Sequence, residues 1–204
     1  MVTCRNFQKE LGTIYRLKVP FESVYTSVFL IKTLEGNILV ECATTKSDVD
    51  EWIAPALETI GLSFLDINYL VLTHCHSDHA GGKEFVLQHN PKIKCLQKEE
   101  SKLTNNVTTY AIKGHTFDFI GVFDGATGTL ISGDGLQGAG IGKYRCSLES
   151  KEEYLKAIEK IRLDKKIKNI LFSHAYEPWY KDGMFGRENV ERCLQDCIKY
   201  IKGE

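Results

Sequence analysis

The chain has 204 residues, of which 43% are hydrophobic and 26% charged, with a formal net charge of −1. The composition is typical of a globular protein, and the length fits one domain or two small halves that share a core. The near-neutral charge argues against nucleic-acid or anionic-membrane partners. No stretch approaches the roughly 18 apolar residues of a membrane span, and residues 1–10 contain no apolar signal region. We therefore expect a single domain over residues 1–204, located in the cytoplasm.

Seven cysteines cannot all pair within one chain, and none of them forms a C-x-x-C motif. This usage indicates a reducing compartment and free, structural thiols. Cys75 lies between two histidines. We predict that its side chain points away from them and is buried in packing.

In the first half, short apolar stretches predict strands and two longer periodic stretches predict helices. The helix over 47–62 is predicted to begin with Ser47 or Asp48 as N-cap and to end at Gly61, with Pro55 kinking it or marking a different start. The predicted strands are 13–19, 24–32, 37–42, 67–72 and 92–96, with a hairpin turn at 34–37 and a second helix at 81–90.

The second half has the same organisation. A hairpin is predicted around the turn at 124–128, followed by alternating helices and strands. The predicted strands are 107–112, 116–124, 129–132 and 168–173, and the predicted helices are 150–163 and 187–201. Strand meanders followed by interposed helices, once in each half, predict an α/β (α+β) fold with two sheets and helices outside, a four-layer αββα sandwich.

Three histidines and an aspartate lie within THCHSDHAGG, residues 73–82, although the chain contains only six histidines. In an extended chain, residues i and i+2 project to the same side, so His74 and His76 are predicted to bind one ion. A turn at the next residue would direct Asp78 and His79 elsewhere, and the two glycines that follow allow the close backbone approach this requires. The stretch therefore predicts two metals.

The pattern recurs, because three other apolar stretches each end near one ligand-type residue: His115, Asp134 and His174. Sites in sheet proteins commonly lie at the carboxyl ends of strands. The combined set of five imidazoles and two carboxylates suits zinc, iron or manganese. His89, at a predicted helix end, is left out of this set.

This ordered set of residues resembles the metallo-β-lactamase-fold superfamily over essentially the whole chain. The resemblance implies a dinuclear centre with two divalent ions, zinc in the first place, and iron or manganese as alternatives. It assigns His74, His76 and His115 to one ion, Asp78, His79 and His174 to the other, and Asp134 to a bridge between them.

The chemistry that follows is that of a metal-dependent hydrolase, in which a metal-bridging hydroxide attacks a small thioester, ester or lactone. Asp78 is expected to hold the attacking water and shuttle its proton, and Asp134 to fix the metal pair. These two carboxylates are the predicted catalytic residues. The expected partner is a small-molecule substrate.

Within the superfamily, the chain most resembles the glyoxalase II branch. After Asp134, the stretch GDGLQGAGIGKY places Lys143 and Tyr144 where that branch binds the thiol carrier of its substrate, so both are predicted substrate-binding residues. β-Lactamases generally lack the bridging aspartate. Flavodiiron-type oxygen reductases carry a glutamate where His76 stands, and RNase Z-like nucleases bring RNA-binding segments not seen here.

The sequence also departs from the branch. Glu41 replaces the usual aspartate after an early strand and is expected to orient a ligand histidine. The stretch after His115 reads GHTFD, and about thirty residues follow His174, where glyoxalase II has a helical domain. Tyr176 and Trp179 are candidates for the wall of an apolar pocket. Two alternatives stay open: a mononuclear-iron enzyme like the persulfide dioxygenases, and an RNA-processing nuclease of the same fold.

Overall fold

The structure is a computed structural model that describes residues 4–97, 100–136, 148–175 and 181–203. The chain divides into two compact units, Met1–Gln97 and Lys98–Glu204. Each unit consists of one mixed sheet with helices packed against it. The assignment of residues 1–204 to a single domain stays a prediction.

The first unit contains a six-stranded sheet in the order β1-β2-β3-β4-β5-β6. β1 to β4 form an antiparallel meander, whereas β4, β5 and β6 are parallel. The strands are β1 (Gln8–Leu11), β2 (Ile14–Phe21), β3 (Val24–Thr33), β4 (Gly36–Val40), β5 (Ile67–Val71) and β6 (Lys94–Leu96). All but β1 were predicted from the sequence. The parallel pair β4–β5 brings the carboxyl ends of two strands together, and this edge carries the ligand motif.

The predicted helix over 47–62 is three consecutive segments: α1 (Lys46–Asp48), a π-helical segment (Val49–Ile53) and α2 (Ala54–Glu58). The N-cap prediction was wrong, because Thr45 is the cap. Its hydroxyl accepts the Asp48 N–H, and the Asp48 carboxylate accepts the Thr45 N–H, a capping box. Pro55 lies in the first turn of α2, where its missing N–H costs little. A 3₁₀ turn (Phe64–Asp66), α3 (Ser77–Ala80) and α4 (Lys83–His89) complete the unit.

The core of the first unit lies between one face of the sheet and these helices. Leu30 of β3 and Leu70 of β5 are fully buried against Ile53 and Leu57. Burial of each such side chain stabilises the fold by about 1.5–3 kcal/mol. Phe29, whose side chain projects to the opposite face, is also fully buried, so β3 is covered on both sides.

The second unit contains a five-stranded sheet in the order β11-β10-β9-β8-β7. Only β9 and β10 are parallel. The elements are β7 (Val107–Ala111), β8 (Ile120–Asp124), β9 (Thr129–Ile131), a 3₁₀ turn (Gly133–Gly135), α5 (Lys151–Leu163), β10 (Asn169–Leu171), β11 (Gly183–Phe185) and α6 (Arg187–Lys202). β8 begins four residues later than predicted, because the chain turns after His115.

Both long helices of the second unit are amphipathic. α5 buries Tyr154, Ile158 and Ile161 at i, i+4 and i+7, and α6 buries Val190 and Leu194 in the same cluster. The Ser150 hydroxyl caps α5 by accepting the Glu153 N–H, as the predicted start at residue 150 requires. In the described part of the chain, no helix is long and apolar enough to cross a bilayer.

Candidate metal centre

The first ligand pair follows β5 in the first unit. Nε2 of His74 lies 2.9 Å from Nδ1 of His76, and the ring centroids are 4.5 Å apart. His74 is buried and His76 is exposed. The two nitrogens thus lie close together on the same side of the chain, as the i, i+2 spacing predicted. Such convergence of imidazole nitrogens suits a divalent cation.

A second pair of donors lies one turn further along. α3 starts at Ser77, where the turn was predicted, and brings the Asp78 Oδ2 atom to 3.1 Å from Nε2 of His79. The Thr26 hydroxyl at the start of β3 donates to the same Oδ2 at 3.2 Å. Thr26 therefore helps to fix the Asp78 carboxylate, a role for which the sequence gives no signal.

The two glycines after this turn are required by close backbone contacts. A Cβ on Gly81 would lie 2.3 Å from the Thr44 carbonyl oxygen, and a Cβ on Gly82 would lie 2.1 Å from that of Cys42. Real Cβ atoms essentially never approach so closely. The predicted need for glycine at both positions is confirmed.

The prediction that Cys75 is buried was wrong: its side chain is exposed. The physical reason is that β5 ends at Val71, so residue 75 lies in a loop beyond the sheet. Cys4, Cys42 and Cys95 are free thiols as well. Burial, and secondarily the charge of Glu41, raises the pKa of Cys42 well above its usual value, which fits a structural thiol.

Glu41 lies directly after β4, beside the motif. Its side chain is fully buried, and one carboxylate oxygen is 3.1 Å from Nδ1 of His79. The sequence analysis expected Glu41 to orient a ligand histidine, and the contact joins it to His79, one of the predicted ligands. Glu41 also has a left-handed backbone with φ +68°, which is uncommon for a residue other than glycine.

The second unit supplies a separate cluster at the ends of its parallel strands. Asp134 lies in the 3₁₀ turn after β9, and His174 lies three residues after β10. Asp134 Oδ1 is 3.1 Å from Nε2 of His174, and Oδ2 is 3.9 Å from Nε2 of His115. The two oxygens therefore face different histidines. This is the arrangement that a carboxylate shared by two cations needs.

His115 is held against the start of α5. The Ser150 N–H donates to the Gly114 carbonyl at 3.2 Å, and the Glu149 N–H donates to the His115 carbonyl at 3.4 Å. The ring packs edge-on against Phe119, with centroids 5.6 Å apart. Gly114 has φ +131°, and a Cβ there would lie 2.4 Å from the Tyr154 Cβ. Only glycine fits at this position.

Comparison with known proteins gives matches to a family model, to sequence relatives and to solved structures. Residues 23–107 match the family model of the metallo-beta-lactamase superfamily. The metallo-beta-lactamase FIM-1 from Pseudomonas aeruginosa superposes with a TM-score of 0.73 at 17% identity, and the match covers 96% of each chain. The chain has the metallo-β-lactamase fold.

The sequence relatives are more similar in sequence, but the matches cover less of each protein. A hydroxyacylglutathione hydrolase from Legionella pneumophila (strain Lens) is 26% identical over 152 residues, which cover 61% of this chain and 59% of that protein. The lactamase-like protein aptB from Emericella nidulans is 32% identical over 68 residues, or 33% of this chain and 21% of that protein. The chain therefore spans well under two thirds of each relative.

The predicted α/β (α+β) fold, with two sheets and helices packed against them, is confirmed. In each unit the residues predicted as ligands follow strands, as expected, and their binding of metal stays a prediction. The substrate residues Lys143 and Tyr144, and the pocket candidates Tyr176 and Trp179, lie outside the described residues.

His89, which the sequence analysis left out of the predicted ligand set, is the last residue of α4. It stacks on Phe64 at 4.8 Å, and its Nε2 lies 2.8 Å from Asp50. Hydrogen bonds from Lys46 and then His89 lower the pKa of Asp50. This exposed pair is an ordinary surface contact.

Gly114→Ala tests how tightly His115 is positioned. We expect a loss of about 2–5 kcal/mol in the free energy of unfolding. The new Cβ would overlap with Tyr154, and residues other than glycine rarely adopt φ +131°. Gly61→Ala is the matched control: Gly61 has φ +73°, but a Cβ there would meet no heavy atom within 4 Å beyond its chain neighbours, so a loss of about 1–2 kcal/mol is expected. Urea unfolding of both variants is the measurement. Equal losses would contradict the contact with Tyr154.

Proposed function

We propose that this chain is a metal-dependent hydrolase of a small thioester, ester or lactone, with two divalent ions bound by the ligand set that the sequence resemblance implies. The observation that carries the proposal is Asp134, whose two oxygens face His115 and His174 separately. The assignment of ligands to the two ions follows from the resemblance of the ordered motif to the superfamily. The named hydroxyacylglutathione hydrolase relative supports thioester chemistry.

The residues present fit two borderline cations. In the first unit, donor atoms converge at 2.9 Å for His74 and His76 and at 3.1 Å for Asp78 and His79. Under the proposal, one ion is held by His74, His76 and His115 and the other by Asp78, His79 and His174, with Asp134 shared. Zinc is the first choice, and iron or manganese suits the same donors. When bound, two such ions lower the pKa of a water and polarise a carbonyl.

Asp78 is proposed to accept and return the proton of the attacking water. The Thr26 hydroxyl, which donates to Asp78 Oδ2 at 3.2 Å, limits the rotation of this carboxylate. A carboxylate that is already fixed loses less conformational entropy on reaching the transition state. The partner is a small molecule rather than nucleic acid or a membrane. The free thiols among the described cysteines support a cytoplasmic location as part of the same proposal.

A substrate panel tests the proposal. Protein loaded with zinc would be assayed on S-acyl thiols, esters, lactones and phosphodiesters, before and after chelation. We expect hydrolysis of a thioester, ester or lactone that chelation abolishes and zinc restores. Cleavage of phosphodiesters alone would favour an RNA-processing enzyme, and oxygen consumption with a persulfide would favour an iron dioxygenase. Either result would contradict the proposal.

Lys143→Ala tests the proposed substrate contact. A lysine nine residues after Asp134 offers a point charge for a carboxylate at the far end of the substrate. We expect KM to rise several-fold with little change in kcat, because such binding is uniform between ground and transition states. The effect should be confined to anionic substrates and shrink at high salt.

Lys166→Ala, at an exposed lysine in the turn after α5, is the control and should leave KM unchanged. Steady-state kinetics on one anionic and one neutral thioester provide the measurement. An equal loss on both substrates, or a fall in kcat alone, would contradict a substrate-binding role for Lys143.

A further inference from the structure

Phe117 is a large apolar side chain that is exposed close to a predicted ligand. It is 61% exposed, whereas His115, Thr116 and Phe119 in the same loop are buried. It belongs to the stretch GHTFD, one of the places where the sequence departs from the glyoxalase II branch. A single exposed aromatic residue is common on protein surfaces. What distinguishes Phe117 is how its loop is held and what lies beside it.

The loop that carries Phe117 is held in place by hydrogen bonds on both sides. It joins β7 to β8, and the Ile112 N–H donates to the Phe119 carbonyl at 3.1 Å directly beyond the paired strands. Glu149 binds the loop twice: its N–H donates to the His115 carbonyl at 3.4 Å, and its Oε2 accepts the Phe117 N–H at 2.7 Å. The main chain at Phe117 is therefore fixed, and the exposed ring projects from a defined position.

The buried side of the loop is occupied by Phe119, which joins the two predicted ligands. Its ring is fully buried and packs edge-on against His115. A Cβ on Gly135 would lie 2.9 Å from Phe119 Cε1, so the turn that carries Asp134 packs closely against the same ring. Phe117 is two residues from both His115 and Phe119, and two residues span at most about 7 Å. The exposed ring therefore starts beside this cluster.

We propose that Phe117 contacts the acyl group of the substrate and makes the site selective for apolar acyl groups over acetyl. The inference rests on the proposed function in taking His115 as a ligand of an ion at which the substrate reacts. It narrows the substrate class to thioesters and esters whose acyl group carries a neutral aliphatic or aromatic chain. Phe117 is a specificity-determining residue in this account and takes no part in proton transfer.

The chemistry of the loop favours an apolar and uncharged group. A phenyl ring has no hydrogen-bonding atom, so it selects by the removal of apolar surface from water. Burial of one methylene group is worth about a fourfold gain in affinity. The next residue, Asp118, is an exposed carboxylate that accepts a hydrogen bond from the Thr116 hydroxyl at 2.9 Å. Its charge disfavours an anionic acyl group on this side of the substrate.

Acyl-chain selectivity of the zinc-loaded protein tests the proposal. Acetyl, butyryl and hexanoyl thioesters of one neutral thiol would be compared by kcat/KM. We expect a rise of at least about tenfold from acetyl to hexanoyl, because part of the longer chain is buried against the ring. Phe117→Ala should remove most of this rise, and Phe117→Leu should keep most of it. Phe185→Ala, which removes a 45% exposed phenylalanine from β11, is the matched control and should change none of the values.

Calorimetric titration of the full chain with hexanoate and acetate, with and without zinc, supplies a readout that needs no turnover. We expect hexanoate to bind at least about tenfold more tightly than acetate, and Phe117→Ala but not Phe185→Ala to remove the difference. If no thioester, ester or lactone is hydrolysed but this preference is found, the proposed function fails and the role of Phe117 stands.

Three results would overturn the role of Phe117. The first is equal binding of the two carboxylates by the wild type. The second is a chain-length preference that Phe117→Ala retains. The third is a dimer of the wild type that Phe117→Ala dissociates without a change in selectivity, which would assign the ring to a contact between two copies of the chain.

Discussion

Asp134→Ala is expected to remove about one or more of the two proposed ions per chain and nearly all hydrolysis. Its carboxylate faces both His115 and His174, at 3.9 and 3.1 Å. Its loss should therefore weaken both ions, and by more than the about 10- to 100-fold that removal of an outer partner costs. Metal content after dialysis, together with turnover, gives the measurement.

Asp196→Ala, at a partly exposed aspartate on α6, serves as the control and should change neither quantity. Two ions retained with unchanged turnover in Asp134→Ala would show that Asp134 is not shared between them. A protein that loses its fold is not expected, because Asp134 lies in a 3₁₀ turn after β9 rather than in the apolar core.

His76→Ala is expected to abolish binding at one metal position and most hydrolysis, while leaving the free energy of unfolding of the metal-free protein nearly unchanged. The side chain is exposed, so its removal takes a ligand and little packing. Elemental analysis and urea unfolding of the metal-free form are the measurements. His89→Ala removes an equally exposed histidine outside the motif, and it should keep full metal content.

The sequence predicted where the candidate ligands lie, because an apolar strand followed by a polar residue forms a pattern that can be recognised in a sequence. His74, Asp134 and His174 each follow a buried strand closely, and parallel neighbours bring such strand ends together. The i, i+2 spacing of His74 and His76 also predicts directly that their side chains project to the same side of an extended chain. These features are local, and local periodicity is the strongest signal that a single sequence contains.

Other features depend on contacts that local patterns do not encode. β1 and β11 are short edge strands with sequences QKEL and GMF, which show no useful alternation. The π-helical segment Val49–Ile53, before Pro55, was predicted as part of an ordinary helix. Thr26 reaches Asp78 across 52 positions, and threonines at strand ends are too common to single out.

Glu41 shows what sequence reasoning could and could not predict. Its place after an early strand indicated a partner for a ligand histidine, and the contact with His79 agrees. Glu41 also has a left-handed backbone, a conformation that sequence reasoning would not assign to a glutamate. The exposure of Cys75 was missed because the end of β5 was placed one residue too late.

The most direct test of the central claim is the metal content of the full chain purified without added metal. The proposal of a dinuclear hydrolase predicts about two divalent ions per chain, with zinc predominant, and thioester, ester or lactone hydrolysis that is lost when they are removed. A single oxygen-sensitive iron, or protein that binds no metal when zinc, iron and manganese are supplied, would contradict it.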